Sequence, residues 1–247
     1  MKFKKHSERS VKPRKNGITS LIDEGMPIEI MKSYVQENHS LIDYVKFGQG
    51  TALIMPNLKK KINLLRKYKI ESYFGGTLFE KFFYENNIPN FIKMMKEYSI
   101  THLEISNGTV NISLKDRIKL VKELNKEFTI LSEVGCKDDD YFMPVSTWIK
   151  EIDNLINAGS KYIILEGRNS ATAGIYKKNG IIKKNIISGI IKKFPIQKLI
   201  FECPTPKTQM FFINLVGENV NLGNIDIRDI ILLECQRLKL RNETFFG

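Results

Sequence analysis

The sequence predicts a single-domain α/β protein, a (β/α)8 barrel of the TIM type, and three observations carry that prediction. Eight short strand-like segments recur along the chain, helical segments separate them, and nearly every strand ends on a charged, amide or glycine residue. A parallel barrel accounts for the last point, because its strand interiors fill a packed core while the strand C-termini face the substrate. The length of 247 residues suits one such domain and leaves little room for another. A doubly wound open sheet shares the strand and helix alternation, but the count of eight and the spread of polar strand ends favour the closed barrel.

The strands are read, in order, as ITSLID (18–23), DYVKFG (43–48), ESYFGG (71–76), HLEIS (102–106), TILSEVG (129–135), YIILEG (162–167), KLIFECP (198–204) and NVNLGN (219–224). The segments between them carry helical periodicity. In 57–69, Leu58, Ile62, Leu65 and Tyr68 fall three or four residues apart, and in 112–126 Leu114, Ile118, Val121 and Leu124 do the same. Each such face can pack on a barrel, and Lys61, on one of these outer helices, is expected at the surface. Residues 1–11 read as a basic, mobile tail and 12–247 as the barrel.

Composition excludes several classes. No apolar stretch approaches the ~20 residues of a membrane span, and the first fifteen residues are too polar for a signal-peptide core, so a cytoplasmic protein without a membrane is expected. Cys136, Cys203 and Cys235 show no metal-ligand spacing and read as reduced thiols. His6, His39 and His102 are scattered, and His102 opens strand four at the end away from catalysis, which argues against a histidine triad or zinc site. The net charge of +12 is local: residues 1–15 hold seven Lys or Arg against one Glu, and 177–198 hold seven Lys and no acid. In the second stretch Lys pairs alternate with an Ile-rich face, as in a turn followed by an amphipathic helix. Neither stretch has an aromatic platform or helix-turn-helix signature, so no nucleic-acid partner is expected.

The chemistry must therefore come from the strand ends. Asp23, Glu104, Glu133, Glu166 and Glu202 end five different strands, and clustering them without a cation would raise their pKa values at a cost in stability. Lys46, Lys137 and Arg168 can neutralise them, and so can Mg²⁺, whose usual shell is carboxylate, water and substrate oxygen. All five acids are therefore candidate metal ligands. Gly75, Gly76 and Thr77 end a strand and open a helical segment, where backbone amides can meet an anion. Ser106 stands two residues past Glu104 on the same rim. Asn221, Gly223 and Asn224 belong to strand eight, whose following loop recurs as a phosphate site in barrels.

The strings KPR (12–14), KFGQGT (46–51), GGTLFE (75–80), EISNGT (104–109), EVGCK (133–137), EGRNS (166–170), IFECP (200–204) and VNLGNI (220–225) resemble, in order and spacing, the phosphosulfolactate synthases. The resemblance runs from about residue 12 to the C-terminus. It implies a (β/α)8 barrel and a Mg²⁺-dependent addition of sulfite to phosphoenolpyruvate, giving (2R)-2-O-phospho-3-sulfolactate. That product leads to coenzyme M in some archaea and to sulfolactate in some spore-formers, while plant relatives are linked to heat tolerance. The reaction sets the expected roles. Lys137, protonated at neutral pH on a long stem, delivers a proton to the central carbon; Glu104, Glu133 and Arg168 complete the catalytic group, and Lys46 neutralises a second anion. A homo-oligomer is the expected assembly.

Four positions depart from the family pattern. Asn107 stands where the family has Asp, Cys136 where it has Lys, Asn169 where it has Glu, and Gln49 where it often has Trp. They leave two alternatives: a phosphoenolpyruvate lyase with another nucleophile, and a non-catalytic stress-related scaffold of the same fold.

Overall fold

Period-two alternation sorts the side chains of every strand into those that fill the barrel and those that meet the helices. The computed structural model describes residues 9–136 and 143–245. The strands β1 (Thr19–Asp23), β2 (Tyr44–Phe47), β3 (Glu71–Phe74), β4 (His102–Ile105), β5 (Thr129–Val134), β6 (Tyr162–Leu165), β7 (Leu199–Glu202) and β8 (Leu222–Ile225) pair in parallel, each with the next, and β8 closes on β1. The (β/α)8 barrel expected from the sequence is the fold observed. All eight predicted segments supply strands, and only the last is displaced, beginning at Leu222.

Helices α1 (Ile28–Asn38), α2 (Leu58–Lys67), α3 (Gly76–Tyr84), α4 (Ile88–Glu97), α5 (Leu114–Leu124), α6 (Val145–Ala158), α7 (Lys184–Lys193), α8 (Pro206–Val216) and α9 (Ile230–Arg237) form the outer layer. Their ends follow local chemistry. Ser113 caps α5 by accepting from the Asp116 N–H at 3.1 Å, Thr205 and Thr208 form a capping box on α8, and Gly159 ends α6 at φ 119°. The lysine-rich stretch resolves as expected into a hairpin turn, with Tyr176 bridged to Ile182, followed by α7.

Two cores result. Ile18, Tyr44, Tyr73, Leu131, Tyr162, Ile164 and Ile200 fill the barrel, while a larger shell including Val45, Phe47, Phe74, Leu103 and Phe201 packs between strands and helices. At the N-terminal end, Tyr44 meets His102 edge-on with ring centroids 5.3 Å apart. Burial, with Lys161 adding, lowers the His102 pKa to about 4, so the ring is neutral at pH 7.

Three expectations are corrected here. Lys61 is not solvated: it lies on the buried face of α2 with Leu58, Ile62 and Leu65, 1% exposed, because it is three residues from Leu58 and four from Leu65. Asn221 precedes β8 and sits at the N-terminal end of the barrel. Its side chain accepts from the Ile18 N–H (3.0 Å) and donates to the carbonyls of Leu199 (3.0 Å) and Gln197 (3.2 Å), tying β8 to the starts of β1 and β7. Arg9 and Ser10, assigned to the mobile tail, are anchored: Arg9 pairs with Glu234 (3.1 Å) and donates to the Gly17 carbonyl (2.7 Å), and the Ser10 N–H donates to Asn219 (2.9 Å).

Candidate active site

The same alternation builds the site at the strand C-termini. Tyr44, Leu131, Ile164 and Ile200 point into the barrel, so Lys46, Glu133, Glu166 and Glu202, each two residues later, also point inward, one layer higher. Glu104 follows His102 by the same rule. All five side chains line a cavity of about 560 Å³, together with Ile22, Thr77, Arg168 and Asn224.

Asp23 is the exception among the predicted acids. On β1 the inward parity belongs to Ile18 and Ile22, so Asp23 faces outward, bonded to Lys61 at 2.6 Å. Its second oxygen accepts the N–H groups of Gly25 and Met26, both at 2.8 Å. This is a buried structural pair, and Asp23 stands apart from the other four acids.

Lys46 is the cation at the centre of the described site. Its ammonium lies 3.1 Å from Glu104 Oε2 and 3.0 Å from Glu202 Oε1. Burial works against its charge, but Glu104 and Glu202 outweigh that effect and hold its pKa well above the ordinary value. Glu104 answers differently: burial pushes its pKa up to about 7, with Lys46 opposing and Glu133 and Glu202 adding. Several acids surround one lysine, and burial among them holds Glu104 toward its protonated form.

Backbone groups fix the acids. The Gly76 N–H, at the start of α3, donates to Glu104 Oε1 (2.8 Å), the Gly167 N–H to Glu202 Oε2 (2.9 Å), and the Arg168 N–H to Glu166 Oε1 (2.7 Å). Gly76 must be glycine here, since a Cβ would meet Ser106 Oγ at 2.2 Å and Glu104 Oε1 at 2.6 Å. One carboxylate oxygen from each of Glu133, Glu166 and Glu202 lies within 4.8 Å of the others. An all-oxygen set of three buried acids suits a hard divalent ion such as Mg²⁺ better than a thiophilic one.

The remaining predicted residues divide. Thr77 and Asn224 reach the cavity, and Asn224, at φ 54°, donates to Asn169 at 3.2 Å. Gly75 donates its N–H to the Phe47 carbonyl (2.9 Å), and Gly223, buried in β8, accepts from the Cys203 N–H (2.8 Å); both hold strand geometry. Ser106 is buried and gives its hydroxyl to Glu80. Lys137 lies outside the described residues. The departures fall into two places: Gln49 and Asn169 both donate to Glu24 at the mouth, whereas Asn107 and Cys136 line a neighbouring cavity of about 460 Å³.

Glu24 and Glu80 escaped the sequence reading. Glu24 follows a strand end by one residue and was masked by Asp23. Glu80 stands four residues after Gly76, on the apolar face of α3 with Phe79, where a lone acid is itself a signal of a buried role.

Residues 7–243 match the family described as (2R)-phospho-3-sulfolactate synthase (ComA). The chain is 39% identical over 241 residues to the phosphosulfolactate synthase of Bacillus subtilis (strain 168), covering 96% of each. It is 36% identical over 235 residues to that of Methanocaldococcus jannaschii, covering 93% of this chain and 94% of the relative. Among solved structures, a chain of the Amycolatopsis orientalis BexX/CysO complex superposes with a TM-score of 0.58 at 10% identity, over 97% of this chain and 93% of that one, a likeness of fold alone.

Proposed function

The chain belongs to the (2R)-phospho-3-sulfolactate synthase family, and from that premise we propose that it adds sulfite to phosphoenolpyruvate in a Mg²⁺-dependent reaction, in the cytoplasm. The observation that carries the proposal is the convergence of Glu133, Glu166 and Glu202 beside Lys46 at the catalytic end of the barrel. No described helix is long and apolar enough to cross a membrane.

In this reaction the sulfur lone pair attacks the methylene carbon of phosphoenolpyruvate and a C–S bond forms. The π electrons move through the central carbon into the carboxylate. The central carbon then takes one proton, and the phosphate ester is retained. Two anions must therefore meet in one cavity while charge builds on carboxylate oxygens. Glu133, Glu166 and Glu202 would hold Mg²⁺, which when bound supplies fixed positive charge to the substrate carboxylate. Lys46 lines the cavity between Glu104 and Glu202, so its positive charge is in place before the substrate arrives. Arg168 lines the same cavity and offers a planar fork to a phosphate or sulfonate. Lys137 is assigned the proton for the central carbon from one face.

Gln49 and Asn169 favour one second reading, a related lyase with another nucleophile. They put two amides on Glu24 at the mouth, at positions where the family has other residues. One experiment separates the readings: the protein is incubated with phosphoenolpyruvate, Mg²⁺ and either sulfite or other small nucleophiles, with phosphorus NMR as the readout. The expected result is a new phosphate-ester resonance that requires sulfite and disappears with chelator. Product formed only with another nucleophile overturns the sulfite assignment, and full turnover after exhaustive chelation overturns the metal.

A further inference from the structure

We propose that Glu80 is a positioning residue, which fixes the loop between β4 and α5 and through it places Thr109 at the wall of the active-site cavity. Glu80 is 1% exposed and does not line the cavity. Among the described residues, four donors from a single loop converge on its carboxylate. Oε1 accepts from the Ser106 hydroxyl and the Gly108 N–H (3.1 Å), and Oε2 accepts the N–H groups of Thr109 and Val110, both at 2.5 Å.

Three successive backbone N–H groups converging on one point form a concavity that binds an anion, and here the anion is part of the chain. An empty concavity would leave those dipoles competing for substrate or water. Filled by Glu80, it becomes rigid, and Thr109 is carried on its central N–H. Thr109 itself is exposed to solvent and lines both the active-site cavity and its neighbour.

The arrangement is reciprocal. Glu80 on α3 grips the loop after β4, while Glu104 on β4 accepts the N–H of Gly76 at the start of α3. One helix therefore sets the position of the central carboxylate and of the loop beside it. Both Glu80 oxygens accept, so Glu80→Gln must set an NH₂ group against at least one donor and release part of the loop without emptying the space.

The test compares the wild type, Glu80→Gln, Thr109→Ala and the double variant, with Glu85→Gln, an exposed residue at the end of α3, as control. Hydrogen exchange should speed up at the amides of 108–110 in Glu80→Gln while the β4 and β5 amides keep their protection. Unchanged slow exchange at 108–110 overturns the proposal. In the phosphoenolpyruvate and sulfite assay, Glu80→Gln should lower kcat/KM by about tenfold to a hundredfold, the range a small misplacement costs. The double variant should be no worse than Glu80→Gln alone, because both act through one loop. Multiplying effects, or a lowered Tm with unchanged kcat/KM, overturn it. Should Glu80→Gln fail to fold, Ser106→Ala removes one of the described donors and must still speed exchange at 108–110; no change there overturns the proposal equally. The kinetic arm rests on the proposed reaction, whereas the exchange arm does not. A wild type that exchanges as expected but shows no turnover would sink the reaction and leave Glu80 in place.

Discussion

At the N-terminal end of the barrel, the fully buried Arg237 donates to the carbonyls of Glu218, Val220 (2.8 Å) and Ile18 (3.2 Å), while Arg14 pairs with Asp43 at 3.1 Å and Arg9 with Glu234. At the C-terminal mouth, four glutamates converge around Lys46. Both regions bury charge, yet they distribute it differently. Below, each of these three arginines is matched to acids or carbonyls. Above, acids outnumber the described cations, and the imbalance is what a metal ion or an anionic substrate with its own cation would correct. Barrels commonly divide stability and chemistry between their ends in this way. Burial leaves its mark on both: it lowers the Arg237 pKa to about 9 and raises that of Glu104 to about 7.

The sharpest way to break this contrast is to remove one cation from each end. Lys46→Met should lower kcat by about 10²–10³, the loss typical of removing one preorganised electrostatic group. Lys137→Met should cost about 10²–10⁴ if it is the acid. Lys119→Met, on the exposed face of α5, serves as the surface control, a role Lys61 cannot fill because it is buried against Asp23. Arg237→Met should instead cost about 3 kcal/mol or more of stability, since the carbonyls of Val220 and Glu218 lose a charged donor and that of Ile18 keeps only the Leu222 N–H, with kcat per folded molecule unchanged. Steady-state kinetics and denaturant unfolding of each variant decide it. A folded Arg237→Met protein with turnover as low as that of Lys46→Met would end the division of labour.

The two ends should also titrate in opposite directions. The folded state raises the Glu104 pKa from the ordinary carboxylate range to about 7, so between those values it holds a proton that the unfolded chain lacks, and stability falls as pH rises. The folded state lowers the His102 pKa from 6.5 to about 4, so in that window the unfolded chain binds the extra proton and stability rises with pH. In chelator the two slopes oppose each other over their shared window. Glu104→Gln should expose the rise below pH 6.5, and His102→Asn should expose the fall up to pH 7, each on the order of 2–3 kcal/mol. Unfolding midpoints measured at half-unit steps from pH 4.5 to 8 test this; equal profiles for both variants would refute it.

How far the sequence carried these conclusions differs between backbone and side chain. The strands were legible because apolar runs and polar ends recur at regular spacing, and all eight appeared. Asp23 was misplaced although its parity was readable, since Ile18, Ser20 and Ile22 already claimed the inward face of β1. Lys61 was misjudged because its partner is an acid on a strand 38 residues away. Asn221 was placed one barrel end too high because VNLGN contains two amides, and only the true start of β8 tells which of them reaches the mouth. Glu80 could be flagged as a lone acid on an apolar helix face, but the loop that surrounds it is set by the packing of β3, α3 and β4. Local pattern gives the scaffold; contacts between distant segments give the pairing.

The smallest expected effect concerns where the N-terminal segment begins to matter. Arg9 is fixed at the stable end, opposite the cavity, by Glu234 (3.1 and 3.2 Å) and the Gly17 carbonyl (2.7 Å). Residues 1–8 contain Lys2, Lys4, Lys5 and Glu8. The described cavity lining begins at Ile22, so little effect of these residues on an anionic substrate is expected. Deleting 1–8 should leave kcat/KM unchanged and stability within about 0.5 kcal/mol. Deleting 1–9 should cost about 1–3 kcal/mol more, because Glu234 and the Gly17 carbonyl then lose a shared donor, still without altering kcat. Two truncations one residue apart thus locate the edge of the folded unit. A salt-dependent rise in KM on deleting 1–8 would instead show that the basic segment reaches the mouth.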